Sequence, residues 1–304
     1  MSSMVNSKAH SPTMNNKGQL TVALPAHQPM PLTTKLLFHA VLPIALPVFV
    51  SYKFITDKSY RLTTTSLYSL VSSATKQSCA DEWYFQDVGL LSQLWDLPSA
   101  QAYMSKSASN NNSVNDTPLE YQIREGYCGS ATQRCILKSL GYHSIPDQKG
   151  GESKPELWCD HVQRIAEESS HGDDDDAEIE TTIVRGDEVT YDEFLSTLRA
   201  ALNNPSCRVA CNFLRSAITG FELSGLWKWH PLYLLIKLYG GHFSPILGMI
   251  ERDGERDDPF IAIFDTNHKY DGVYFVPCRR LYEAVRSVDV GSRKSRAIIL
   301  VEKK

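Results

Sequence analysis

Cys128 stands six residues after Gln122, in the run Gln122-Ile123-Arg124-Glu125-Gly126-Tyr127-Cys128-Gly129-Ser130-Ala131. A thiol attacks a carbonyl as its thiolate, and a thiolate is favoured where backbone N–H groups and a helix dipole point at it. Ala131, Cys135, Ile136, Leu137 and Leu140 recur at helical spacing, and Gly141 is placed to end the run. A helix opening at Cys128 is therefore predicted. Gln122 could reach back with its side-chain amide to help hold an oxyanion. Taken alone, Cys128 is more readily a buried core thiol, the commoner fate of a single cysteine. The nucleophile reading needs partners.

Two segments supply them. Gly240-Gly241-His242-Phe243-Ser244-Pro245-Ile246 sets a histidine between two glycines and a predicted strand. Glycine there lets backbone come close to a ligand. Phe260 to Asp265 ends another predicted strand with a carboxylate. An imidazole held between that carboxylate and a thiol would have what a Cys-His-Asp site requires, a base and a group that fixes its tautomer. Each piece has an ordinary alternative: a structural histidine, and an aspartate that forms a turn.

The elements that must position these residues read as an α+β pattern, a helical part carrying the cysteine and a β-rich part carrying His242 and Asp265. Helices are expected within 60–103 and around Leu157–Ala166. Thr190-Tyr-Asp-Glu193 is a capping box that opens a helix through Leu202. Strands are expected at Val209–Phe213, Phe243–Ile250, Phe260–Asp265, Val273–Val276 and Ala297–Val301, with a helix near Arg279–Val288. Asp173–Asp176 with Glu178 and Glu180 reads as an acidic surface loop. Residues 1–35, rich in Ser, Asn, Pro and Met, read as disordered or targeting sequence. Residues 36–55 form an apolar segment with two prolines, preceded by lysines and by no acidic residue. Membrane anchoring or targeting is the expectation for it, with a buried segment and a cytoplasmic chain as the alternative. Two N-x-S/T sequons, at Asn111 and Asn115, lie in a polar loop.

Composition bounds the chemistry. The 304 residues carry a net charge of −4, which with no basic stripe speaks against nucleic acid as a partner. Seven scattered cysteines form no CxxC pair. Neither a disulfide framework nor a zinc site is expected, and Cys207 and Cys211 read as core thiols.

Gln122, Tyr127-Cys128-Gly129, Gly241-His242-Phe243-Ser244-Pro245 and Asp265 together resemble the catalytic half of the phytochelatin synthases. The similarity covers about residues 60–304 and is densest over 118–140 and 207–304. It implies a papain-like cysteine peptidase fold and a catalytic domain over 56–304. It also implies a glutathione γ-glutamylcysteinyltransferase that uses Cys128, His242, Asp265 and Gln122. The resemblance further implies substrate contacts from Asn212 and Gly241, and from Asp289 and Arg296 in the C-terminal Asp-to-Arg stretch. No cofactor is implied for the chemistry. Cadmium, zinc or copper would enter as thiolate complexes of the acceptor, so glutathione and metal–glutathione complexes are the expected partners. Three features depart from the family. His268 stands where an arginine is usual, 219–239 is an insertion with Trp227 and Trp229, and the chain ends soon after Arg296. The last resembles short forms that mainly hydrolyse glutathione. Other readings are a papain-like peptidase acting on other peptides and a non-catalytic, metal-binding thiol protein.

Overall fold

The structure, a computed structural model, describes residues 13–14, 20–22, 24, 32–80, 87–104, 117–150, 154–170, 178–221, 237–251, 258–270, 272–290 and 292–304. Asn111 and Asn115 of the two sequons, the Asp173–Asp176 run and most of the 219–239 insertion lie outside them, as does nearly all of 1–31.

Mixed helix and antiparallel sheet bears out the α+β reading. A short pair, β1 (Thr13–Met14) and β2 (Leu20–Thr21), precedes the main sheet. That sheet has six strands: β3 (Ile179–Arg185), β4 (Cys207–Leu214), β5 (Gly241–Ile250), β6 (Phe260–Phe264), β7 (Val273–Pro277) and β8 (Ala297–Lys303). Their order is β3-β8-β4-β5-β6-β7, and every pairing is antiparallel. β4 is buried at all eight positions. It reads as a near-continuous apolar run because both of its faces are covered. Val209, Cys211 and Phe213 face one cluster, shared with α8 (Tyr191–Asn203) and the helix Cys278–Arg286; Ala210 faces the other. Removing a side chain such as Phe213 from this centre would cost about 3–5 kcal/mol.

Local chemistry accounts for most of the boundaries. Thr190 accepts from the Glu193 N–H while the Glu193 carboxylate accepts from the Thr190 N–H, so the capping box opens α8 as expected. Leu67, Val71 and Ala74 of α3 (Lys58–Ala80) are buried, and Leu67 and Val71 join the same cluster as α8. One expectation is corrected. Glu178 and Glu180 do not belong to a surface loop alone, because Glu180 lies within β3, which pairs along its whole length with β8. The polar residues of Ile179-Glu-Thr-Thr-Ile-Val-Arg185 mask this strand, and edge strands tolerate them. The apolar segment 36–55 is helical, α1 (Leu32–Leu36) and a π turn leading to α2 (Leu42–Thr56). No helix among the described residues is long and apolar enough to cross a membrane. α2 has 15 residues and none of them is buried, with Ile44, Val48 and Ile55 strongly exposed.

Candidate active site

Cys128 is the first residue of α6 (Cys128–Ser139). Several contacts place it there. Gly126 takes a φ of +85°, a left-handed turn that favours glycine and brings the chain into the helix. No side chain caps the N-terminus at Tyr127, so the first-turn N–H groups are available to an anion. Trp158 of α7 (Pro155–Ser170) donates its indole N–H to the Gly129 carbonyl at 3.0 Å and stacks on Phe243, the residue after His242. That one indole ties the Cys128 turn to β5. At the other end Gly141, φ +92°, closes α6 as expected, with Tyr142 N–H bonded to Leu137 O.

Sheet register brings the other two together. Ile246 of β5 faces Ile263 of β6, and stepping two residues at a time from this pair keeps His242 and Asp265 on one face. His242 Nε2 lies 3.0 Å from Asp265 Oδ1, which also accepts from the Asn267 N–H at 2.8 Å. The remaining ring nitrogen, Nδ1, is left to serve Cys128, whose thiol and the His242 ring influence each other's charge. The Asp265 backbone is held in turn, its N–H on Gly272 O, while Gln122 N–H on Thr266 O ties the cysteine loop to the aspartate loop. Asp265 Oδ2 meets the guanidinium of Arg215 at 2.7 Å, and that guanidinium lies over the Tyr270 ring.

These contacts set the charges. Burial works against a charged His242, but Asp265 and Cys128 outweigh it and raise the imidazole to about 9. Burial also works against a Cys128 thiolate, yet the His242 charge and hydrogen bond, with the Phe243 N–H, bring the thiol below its ordinary value. Asp265 is likewise held below the usual carboxylate range, burial notwithstanding, by His242 and Arg215. Both directions favour a thiolate–imidazolium pair over the neutral one. The other described cysteines behave as core thiols: burial pushes Cys135 and Cys278 up to about 12, and Cys159 and Cys207 to about 11. Cys211 moves the same way for the same reason.

A cleft of about 290 Å³ opens onto Cys128 and His242, with Gln122, Glu125, Arg215, Lys237, Gly241, Asn267, Lys269 and Tyr270 among its walls. Gln122 is buried and donates to Glu125 at 3.4 Å, while its Oε1 has no partner. Its amide is thus loosely held beside the thiol. Of the expected substrate contacts, Gly241 lines the cleft, and Asn212 and Arg296 lie just behind it. Arg296 is almost wholly buried, and its terminal nitrogens already donate to Ser287, Val288 and Tyr239. Asp289 is not part of the cleft wall and instead caps a turn, accepting from the Ser292 N–H at 2.9 Å. His268 is not in the wall either. It packs edge-on to Tyr121, whereas its neighbours Lys269 and Tyr270 face the cleft. Lys269 pairs with Glu125 at 2.7 Å.

Arg215, Glu125, Asn267, Lys269 and Tyr270 were not singled out by sequence as site residues. Arg215 had a signal, a cation closing the Cys211–Arg215 run ahead of His242; the loop residues had none. A larger cleft, about 930 Å³, runs between Ser66 and Ser73 of α3 and Glu283 and Arg286, away from this chemistry. Among the described residues no three His, Cys, Asp or Glu side chains gather as a metal-holding group. No protein-family model matches the chain, and no curated protein sequence matches it.

Proposed function

We propose that the chain is a papain-like thiol acyltransferase of the phytochelatin synthase kind, acting on glutathione. The observation that carries this reading is Cys128 at a helix N-terminus, sharing one cleft with a His242 held 3.0 Å from the buried Asp265. A preformed thiolate needs no further activation before it attacks an amide carbonyl. In the proposed reaction Cys128 Sγ bonds to the carbonyl carbon of the Cys–Gly amide. The oxyanion is met by the Cys128 N–H and the Gln122 amide. The His242 imidazolium passes its proton to the leaving glycine nitrogen as the C–N bond breaks. A γ-glutamylcysteinyl thioester and a neutral His242 remain. His242 then takes a proton from water, giving γ-glutamylcysteine, or from the amine of a second glutathione, giving phytochelatin. Asp265 keeps the imidazole oriented throughout.

The small cleft suits a short peptide and carries both signs of charge, as a zwitterionic γ-glutamyl peptide requires. With His268 turned toward Tyr121, the cation that would meet an acceptor's carboxylate is Lys269. The test is incubation of the full chain with glutathione, with and without cadmium, and mass analysis of products. Glycine with γ-glutamylcysteine or phytochelatin is expected. Unchanged glutathione alongside turnover of generic peptides would move the reading to a general peptidase; unchanged glutathione and no peptide turnover would end the enzyme reading.

A further inference from the structure

We propose that Arg215 is a positioning residue that orients Asp265 toward His242 and tunes the Cys128–His242 ion pair. The inference rests on the nucleophile reading above. Asp265 is completely buried, and its two oxygens have different tasks. Oδ1 takes the His242 ring N–H and the Asn267 N–H. Oδ2 lies 2.7 Å from the Arg215 guanidinium as an ion-pair contact and accepts no aligned hydrogen bond. Without the guanidinium only the two bonds to Oδ1 would hold the carboxylate, and Oδ2 would be a buried oxygen left alone. Arg215 is well placed to hold it. It follows the last residue of β4, whose Leu214 pairs with Gly241, and its carbonyl accepts from Ile218 and Thr219 at 2.8 and 3.0 Å. Its side chain is only 12% exposed and is flanked by the Tyr270 ring. A guanidinium already committed to a buried carboxylate is poorly placed to serve as the substrate's anion site.

The direction of its effect follows from charge. The groups that face the trio are Arg215, Glu125 with its partner Lys269, and the neutral Cys211 thiol; Lys237 stands farther along the cleft wall. Removing the Arg215 charge while Asp265 stays ionised leaves the imidazolium more favoured and the thiolate less so. Both the His242 and the Cys128 titrations must then move to higher pH. Loss of a substrate ligand would raise KM without moving either.

The experiment reads Cys128 itself. The rate of iodoacetamide alkylation at Cys128, followed by mass on its peptide, is measured against pH in the full chain, the Arg215→Gln variant and the Arg215→Lys variant. Glutathione turnover is measured beside it. Wild-type alkylation should reach half-maximum well below the ~8.5 of a free thiol. Arg215→Gln should raise that midpoint by about one unit and lower kcat about 10²-fold, with KM within about threefold. Arg215→Lys should restore the midpoint to within about 0.3 unit. A low wild-type midpoint that Arg215→Gln leaves in place, or a raised KM with unchanged kcat, overturns the proposal alone. A wild-type midpoint near ~8.5 overturns the nucleophile reading and the proposal with it. Should Arg215→Gln fail to fold, Tyr270→Leu, which loosens the guanidinium, should move the midpoint the same way by less; an unmoved midpoint there also overturns it.

Discussion

Replacing Asp265 by asparagine keeps the shape of the side chain and removes its charge. Its single oxygen can take the Oδ1 place, which sets the amide nitrogen against Arg215, or the Oδ2 place, which sets it against both the His242 and the Asn267 N–H groups, donor against donor either way. Two losses follow. The raise of His242 from 6.5 to about 9 corresponds to about 3 kcal/mol favouring the imidazolium, and Asp265 is the first of its charged partners. Losing most of that lowers the population of the ion pair and costs about 10²-fold in kcat/KM. With the oxygen turned to Arg215 the imidazole also loses the acceptor that selects its tautomer, and removing this role in a comparable triad costs about 10⁴-fold in all. A fall of about 10³- to 10⁴-fold is therefore expected in glycine release from glutathione. Stability should fall as well, by about 3 kcal/mol, because the nearly buried Arg215 charge loses the carboxylate it faces. Adding Arg215→Met to Asp265→Asn removes that orphaned charge. The double variant should recover most of the stability in urea unfolding and none of the activity. Retention of more than a tenth of wild-type kcat/KM by Asp265→Asn would refute the assignment of His242 and Asp265 as a catalytic pair. A double variant no more stable than the single one would refute the account of the buried charge.

Cys128→Ser should abolish glycine release while Cys135→Ser keeps it; equal activity in the two single variants would remove Cys128 from the chemistry. The pH profile of kcat/KM should rise at a pH below the ordinary thiol value and fall near 9, where His242 loses its proton; a maximum above pH 10 would contradict the ion pair. His242 is held above its unfolded value, so its stabilisation should be complete below about pH 6.5 and lost as pH rises through 9, which calorimetry across that window can check. Lys269→Gln should lower the transfer-to-hydrolysis ratio with cadmium and glutathione fixed, whereas His268→Arg, behind the cleft wall, should leave the product ratio unchanged. Exchanging Ile44 and Val48, exposed on α2, for aspartate should abolish flotation with anionic vesicles without changing turnover; flotation unaffected by the change would dismiss α2 as an anchor.

Much of the scaffold was legible because its signals are local. Cys128 opens a helix because an apolar period begins just after it and Gly141 can adopt the left-handed turn that ends it. Thr190 and Glu193 lie within one turn of each other, so their reciprocal bonds could be read from spacing. The apolar runs of β4 to β8 announced strands, and Cys128, His242 and Asp265 were suggested as a trio by residue types set at element ends. Tertiary structure decided the rest. β3 has no apolar run to mark it and exists through its pairing with β8. That His242 and Asp265 touch depends on the register of β5 on β6, in which a shift of one residue would put them on opposite faces. That Arg215 completes the site depends on where β4 ends beside Gly241. In the irregular loop after Asp265, no period dictates direction. His268 turns onto Tyr121 and Lys269 into the cleft because the Asp265–Asn267 turn and the bond from Asp265 N–H to Gly272 O orient the backbone between them.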